Sequence, residues 1–345
     1  MVASQTGIGA VGYGGDFIET NMEKRSIRRI GNIIGMAWVI PDVIIDIAIT
    51  VLSIVNAFKY SQGDQTLQNL LLDPMFSVML QMGLSILIFV PSYAMAARSL
   101  GPKKREARPV IEFGGFKAGL GIAVMLISMG VFMVGNMATS IISQLFTNLF
   151  GYTPQGGDFT APRSIYGTIA FFIVVSVLPA LIEEFAMRGV ILGTLRAHSQ
   201  PLAVVASSVI FGLMHGNMVQ APFAFVGGIA LGYATLVTRS IWPAVIVHFL
   251  NNFLSCVYDI LPENLIEVFS VFHVMIALLC VLFGLLLLLK HRPRPFAITG
   301  RDRMSGGQKA KAFFMAPAMI VALVWTAINM LLPALLQTLM SGLVS

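Results

Sequence analysis

Two adjacent carboxylates and a guanidinium sit inside one apolar run. Pro179 to Arg188 reads P-A-L-I-E-E-F-A-M-R, at the end of a stretch that begins near Ile165. A charge at the bilayer centre costs roughly 2.5–3.5 kcal/mol on insertion scales, so such residues as a rule face an interior site. Glu184 and Arg188 are four positions apart, share a helical face and can pair. Glu183 points about 100° away and has no local partner. One carboxylate is held charged while the other is free to exchange protons, which is the division that acid/base chemistry needs.

Two imidazoles follow in the next apolar segments. F-G-L-M-H sets Phe211 and His215 one helical turn apart, and H-F-L-N-N sets His248 and Asn252 on one face, with Asn251 three positions from the histidine. Taken singly, the first is an interfacial histidine and the second is glue between helices. Taken together, they fall with the glutamates within about 70 residues, on helices whose short connections force adjacency. Depth is compatible with a meeting. Glu183 lies roughly 18 Å from the inner end of its helix and His248 about 10 Å in, at 1.5 Å per residue. A tilt or kink is needed to bring them level, and Pro179 supplies one by removing a backbone donor.

The elements that must hold these residues are membrane helices. The chain has 345 residues, 57% of them apolar and only 11% charged, with a mean hydropathy of +0.83. Ordinary soluble chains carry about 25% charged residues. The reading is an all-α polytopic membrane helical bundle of about nine transmembrane helices: Ile30–Ala57, Met75–Ala97, Ala118–Leu149, Ile165–Leu195, Pro201–Asn217, Ala221–Val237, Ile241–Val257, Val268–Leu289 and Met315–Met340. The fifth to seventh are each 17 residues long, the lower limit for crossing. The G-x-x-x-G pairs Gly115/Gly119 and Gly228/Gly232 favour close helix contact.

Net charge is +6, and its placement matters more than its sum. Lysines and arginines gather at 24–29, 98–108 and 290–311, whereas the opposite loops carry chiefly aspartate and glutamate. This positive-inside bias puts the N-terminus in the cytoplasm of a multi-pass cell-membrane protein and leaves no basis for nucleic-acid binding. Residues 1–23 lack an apolar core, so no cleavable signal peptide is expected. Cys256 and Cys280 read as small buried hydrophobes. Asp42 and Asp46, four apart in the first span, read as a polar seam against neighbouring helices, the alternative being an ion or proton site. His198 and His273 need no more than solvated or packing roles, and Ser207 and Ser208 satisfy backbone carbonyls.

The ordered set E-E-F-A-M-R, F-G-L-M-H and H-F-L-N-N resembles the three motifs (E-E-x-x-x-R, F-x-x-x-H, H-x-x-x-N) of the CAAX-processing and bacteriocin-processing intramembrane protease family, whose best-known member cleaves after prenylated cysteine. The resemblance covers about Ile165–Val257. It implies that Glu183 and His215 activate water, that His248 and Asn252 stabilise the tetrahedral oxyanion, and that Glu184 and Arg188 are the supporting pair. Attack on an amide needs a base within reach of water and donors where charge develops, and these residue types meet that need. Two histidines and a glutamate also suit zinc with one open position. H-E-x-x-H is absent, however, and a glutamate acting as base is not also a ligand, so zinc is kept as a candidate without an assigned ligand.

The domain reading is a mobile cytoplasmic tail (1–23), N-terminal transmembrane helices (24–164), a protease-like core (165–257), and C-terminal helices with a basic cytoplasmic linker (258–345). The expected function is intramembrane hydrolysis of a membrane-anchored or peptide substrate, with membrane lipid as the surroundings. The alternatives are a non-catalytic bacteriocin-immunity or partner-binding protein, and a proton-coupled carrier using Asp42, Asp46 and the glutamates.

Overall fold

The computed structural model describes residues 9–101, 113–150, 164–293 and 303–344. Residues 1–8 of the expected tail, the outer loop at 151–163, and most of the basic loops at 98–108 and 293–302 lie outside the described residues. In chain order the helices are α1 (Gly9–Ser61), α2 (Thr66–Leu71), α3 (Pro74–Leu100), α4 (Ala118–Phe150), α5 (Ile165–Leu195), α6 (Gln200–Met214), α7 (Gln220–Thr238), α8 (Trp242–Ile260), α9 (Glu263–His291), α10 (Gly306–Phe314) and α11 (Pro317–Val344). No strand occurs among the described residues. The protein is an all-α, multi-pass membrane bundle.

Among the described residues the expected nine spans are not all found. Seven described helices, α1, α3, α4, α5, α7, α8 and α9, are long and apolar enough to cross a bilayer. An eighth is obtained if α10 and α11, bent 73° to each other, are taken as one span. The helix α6 has 15 residues, so it reaches only about 22 Å at 1.5 Å per residue, short of a hydrocarbon core of about 30 Å. The first helix also starts earlier than its apolar stretch. It runs 53 residues from Gly9, so residues 9–23, expected as a tail, continue the span as helix. At about 80 Å, its N-terminal part projects past the lipid.

Two groups of helices hold the centre. One is α4 packed along α9, with α7 and α8 against α4; the other is α1 packed on α3, α10 and α11. The central helix α5 touches α6, α7 and α8, and its buried residues Met187, Val190, Ile191 and Leu195 form one core with Ile34 and Trp38 of α1 and Phe313 of α10. Close approach of α1 to the α10–α11 bend depends on absent side chains: a Cβ on Gly31 would stand 2.4 Å from the Phe313 carbonyl oxygen, and one on Gly35 2.4 Å from the Met319 nitrogen. The paired glycines behave unequally elsewhere, since Gly119 meets the His291 ring whereas nothing lies within 4 Å of a Cβ on Gly115.

Within this frame Asp46 accepts hydrogen bonds from Trp325 Nε1 (3.1 Å) and Asn329 Nδ2 (2.8 Å) of α11. It is a polar seam between helices. Ser207 and Ser208 donate to the Val204 carbonyl at 3.1 and 2.6 Å. Cys256 and Cys280 are buried free thiols.

A polar joint ties the ends together on the basic side. Lys309, 2% exposed, donates to the His198 carbonyl at 2.8 Å and pairs with Glu23 at 3.3 Å. The His198 ring lies 3.3 Å from Ser26 Oγ and 3.9 Å from Glu23. Burial holds His198 below the ordinary histidine value of 6.5; Glu23 opposes that shift and Lys309 reinforces it. The folded state therefore prefers the neutral ring. Its contribution to stability is complete above the ordinary histidine value and is lost as pH falls below it toward the depressed folded value. The melting temperature of the purified chain should fall between pH 7 and about 5.5, and His198→Gln should flatten that part of the profile. An unaltered slope in the variant would assign the pH dependence to other groups.

Candidate active site

The backbone of α5 departs from regular α geometry on both sides of the glutamates. Ile173–Val177 and Phe185–Leu192 are π-helical, with α-helix between them over Leu178–Glu184. Such widened turns are rare and concentrate at functional sites. The first precedes Pro179, whose ring would otherwise collide with the carbonyl four residues back. That carbonyl belongs to Val175, and Asn252 Nδ2 of α8 donates to it at 3.3 Å. Asn251 Nδ2 in turn donates to Asn252 Oδ1 at 3.2 Å, and Asn136 Nδ2 of α4 to Asn251 Oδ1 at 2.9 Å. Asn252 thus fastens α8 to α5 through the carbonyl that Pro179 leaves without an N–H.

The supporting pair is present as helical spacing requires. Arg188 Nη1 donates to Glu184 Oε1 at 2.7 Å, with both side chains fully buried. Arg188 Nη2 also donates to the Gly228 carbonyl at 3.1 Å, and its guanidinium carbon lies 4.7 Å from the centre of the Phe211 ring. A charge in that setting is tolerable only when paired and hydrogen-bonded.

His248 joins the two glutamates. Its Nδ1 lies 2.8 Å from Glu184 Oε1, and the carboxylate can only accept, so Nδ1 carries the proton. This orients Nε2 toward Glu183, whose Oε2 is 3.9 Å away. The carboxylates differ in access, with the Glu183 side chain 29% exposed and that of Glu184 completely buried.

His215 caps the C-terminus of α6, where Gly216 in the left-handed region (φ 60°) turns the chain. Its Nδ1 donates to the Phe211 carbonyl at 2.8 Å, leaving Nε2 outward. Asn217 then caps the next helix by accepting from the backbone N–H groups of Val219 and Gln220. Both imidazoles lean edge-on against one ring, Phe211, with centroids at 5.1 Å for His215 and 5.5 Å for His248. The fold therefore sets Arg188, His215 and His248 against Phe211, with Glu184 and Glu183 beside His248, and it commits the amide of Asn252 to the backbone of α5. The motif includes Phe211 without assigning it a task, and no motif assigns one to Asn136, Asn251 or the Val175 carbonyl. Pro179 was the visible signal for that last acceptor.

A buried, ion-paired carboxylate beside a more accessible one, with an imidazole oriented between them, suits proton transfer to and from a bound water. Among the described residues no group of three or more His, Cys, Asp and Glu side chains is disposed to hold a metal ion. Glu184 Oε1 is already claimed by Arg188 and His248. The described donor set does not fit zinc.

Comparison with known proteins matches this region. Residues 165–254 fit the family model described as Rce1-like, type II CAAX prenyl endopeptidase. That segment contains all six singled-out residues, from Glu183 to Asn252. A curated relative, the membrane-embedded CAAX protease MroQ of Staphylococcus aureus (strain USA300), is 28% identical over 149 residues, which is 41% of this chain and 59% of that protein. The chain thus spans under two thirds of that relative's length. No solved structure matches.

Proposed function

We propose that this chain is an intramembrane endopeptidase of the CAAX-processing type that hydrolyses a peptide bond of a membrane-anchored or peptide substrate, a reading supported by the similarity of residues 165–254 to the Rce1-like model and to a membrane-embedded CAAX protease. The observation that carries this reading is the unequal pair of glutamates bridged by His248. Glu183, the accessible carboxylate, takes a proton from water, with the outward Nε2 of His215 as second acceptor. The water oxygen attacks the carbonyl carbon. Doubly protonated His248 keeps one proton on Glu184 and presents Nε2–H to the oxyanion. The proton held by Glu183 then passes to the leaving nitrogen as the C–N bond breaks, which gives an acid and an amine.

In this scheme Asn252 is a positioning residue. Its bond to the Val175 carbonyl fixes the turn of α8 that carries His248. Orientation follows the basic loops, with the N-terminus on the cytoplasmic side.

Hydrolysis has a direct signature. Membranes holding the chain, incubated in ¹⁸O-water, should release peptides with one heavy oxygen at each new C-terminus, and membranes lacking it should not. Equal labelled products from both membranes would remove the proposal.

A further inference from the structure

A second site lies away from the glutamates, where α1 faces α10. A crevice of about 420 Å³ is lined by Lys24 and Arg28 of α1 and Lys311 of α10, with Thr20, Asn21 and Gln308 beside them. Thr20, Lys24 and Arg28 repeat every four residues and form one stripe along α1, and Lys311 stands on the opposite wall. Among the described residues no carboxylate lines the crevice. The nearby acids are engaged elsewhere: Glu23 with Lys309, and Glu19 with Arg303. Among the described residues the side chains of Lys24, Arg28 and Lys311 form no ion pair or hydrogen bond.

Like charges one turn apart repel, and a third cation across the gap adds to that. The two helices are nonetheless fixed together by the buried Lys309–Glu23 contact and by Phe313, which is fully buried against Gly31. The fold therefore holds three uncompensated cations around one space, which is what an anion-binding site requires. The rim has an apolar side. Met304, Ala312 and Met315, the last exposed at the bend into α11, line the crevice, and exposed Phe17 lies one turn before Asn21 on the same stripe of α1, in a helix that continues directly into a membrane span.

We infer that this crevice binds a phosphate group, with Lys24, Arg28 and Lys311 around the anion, and that the apolar rim accepts the acyl chains when that phosphate belongs to an anionic phospholipid. Cationic pockets between helices at the membrane surface recognise headgroups by this chemistry. The inference is independent of catalysis at Glu183.

The test uses the full chain in neutral detergent, with native mass spectrometry of retained phosphatidylglycerol against phosphatidylcholine. Wild type should retain the anionic lipid about 10- to 100-fold more strongly. Lys24→Gln/Arg28→Gln/Lys311→Gln should erase that preference. A control set of equal charge, Arg98→Gln/Lys290→Gln/Arg292→Gln, should preserve it. Should the triple variant melt early, Arg28→Gln alone replaces it, with a partial loss expected. Retention that millimolar inorganic phosphate does not displace identifies the lipid headgroup as the source. Displacement of the lipid by phosphate that itself binds through the same three residues identifies a free phosphate. Equal losses from the two variant sets, or no loss from the first, would overturn the inference and leave only a diffuse basic surface.

Discussion

Glu183→Gln should lower peptide-bond hydrolysis by roughly 10²- to 10⁴-fold, the range that a positioned general base contributes, while leaving the melting temperature close to wild type. The substitution keeps size and shape. Glu183 is partly exposed, and its nearest charged neighbour, His248 Nε2, stands at 3.9 Å, outside hydrogen-bond range. Little folding energy rests on its charge. Glu184→Gln is the informative contrast, because that carboxylate is fully buried and holds both Arg188 and His248. It should reduce both stability and turnover. Proteoliposomes of the three proteins, assayed for labelled product and for thermal unfolding, separate the roles. Full turnover by the Glu183 variant would remove it as the base.

Arg188→Met should cost about 3–5 kcal/mol of stability, because it leaves a carboxylate buried without its countercharge. The guanidinium also loses its contacts to the Gly228 carbonyl and the Phe211 ring. A charge-free pair of similar volume is a different case. Replacing a buried ion pair by apolar residues is often neutral or stabilising, so Glu184→Met/Arg188→Met should recover most of the loss. Turnover should not recover with it, because His248 has then lost the acceptor for its Nδ1 proton. Unfolding of the single and double variants in one detergent, with product formation measured alongside, gives the comparison. Recovery of both stability and activity in the double variant would show that the pair serves packing alone.

The portion of this site legible in the sequence was the portion set within single helices. Glu184 and Arg188 pair because four residues bring two side chains to one face, a relation local to α5. His248 bridging two glutamates is a relation between helices, and no spacing in one segment encodes it. Asn252 shows the same limit. The family resemblance implies a donor for an oxyanion, and in the structure the Asn252 amide meets a backbone carbonyl 77 positions away. Hydropathy located most spans and misjudged two boundaries for one reason: it records where lipid is tolerated, not where helix begins or ends. The charged residues Glu19, Glu23 and Lys24 end the apolar stretch, yet α1 continues through them to Gly9. In the opposite sense, α6 is largely apolar but stops at His215 because Gly216 turns the chain.

The carbonyl that Pro179 leaves open and Asn252 occupies has a consequence for variation of the protein. It acts as an index mark between α5 and α8, since sliding either helix by one residue would strand both an amide and a carbonyl in a low-dielectric interior. Pro179→Ala would restore a competing donor inside α5 and make the asparagine dispensable as a clamp. The effect of exchanging Asn252 should then depend on which residue stands at 179, so that the two positions are inherited as a unit.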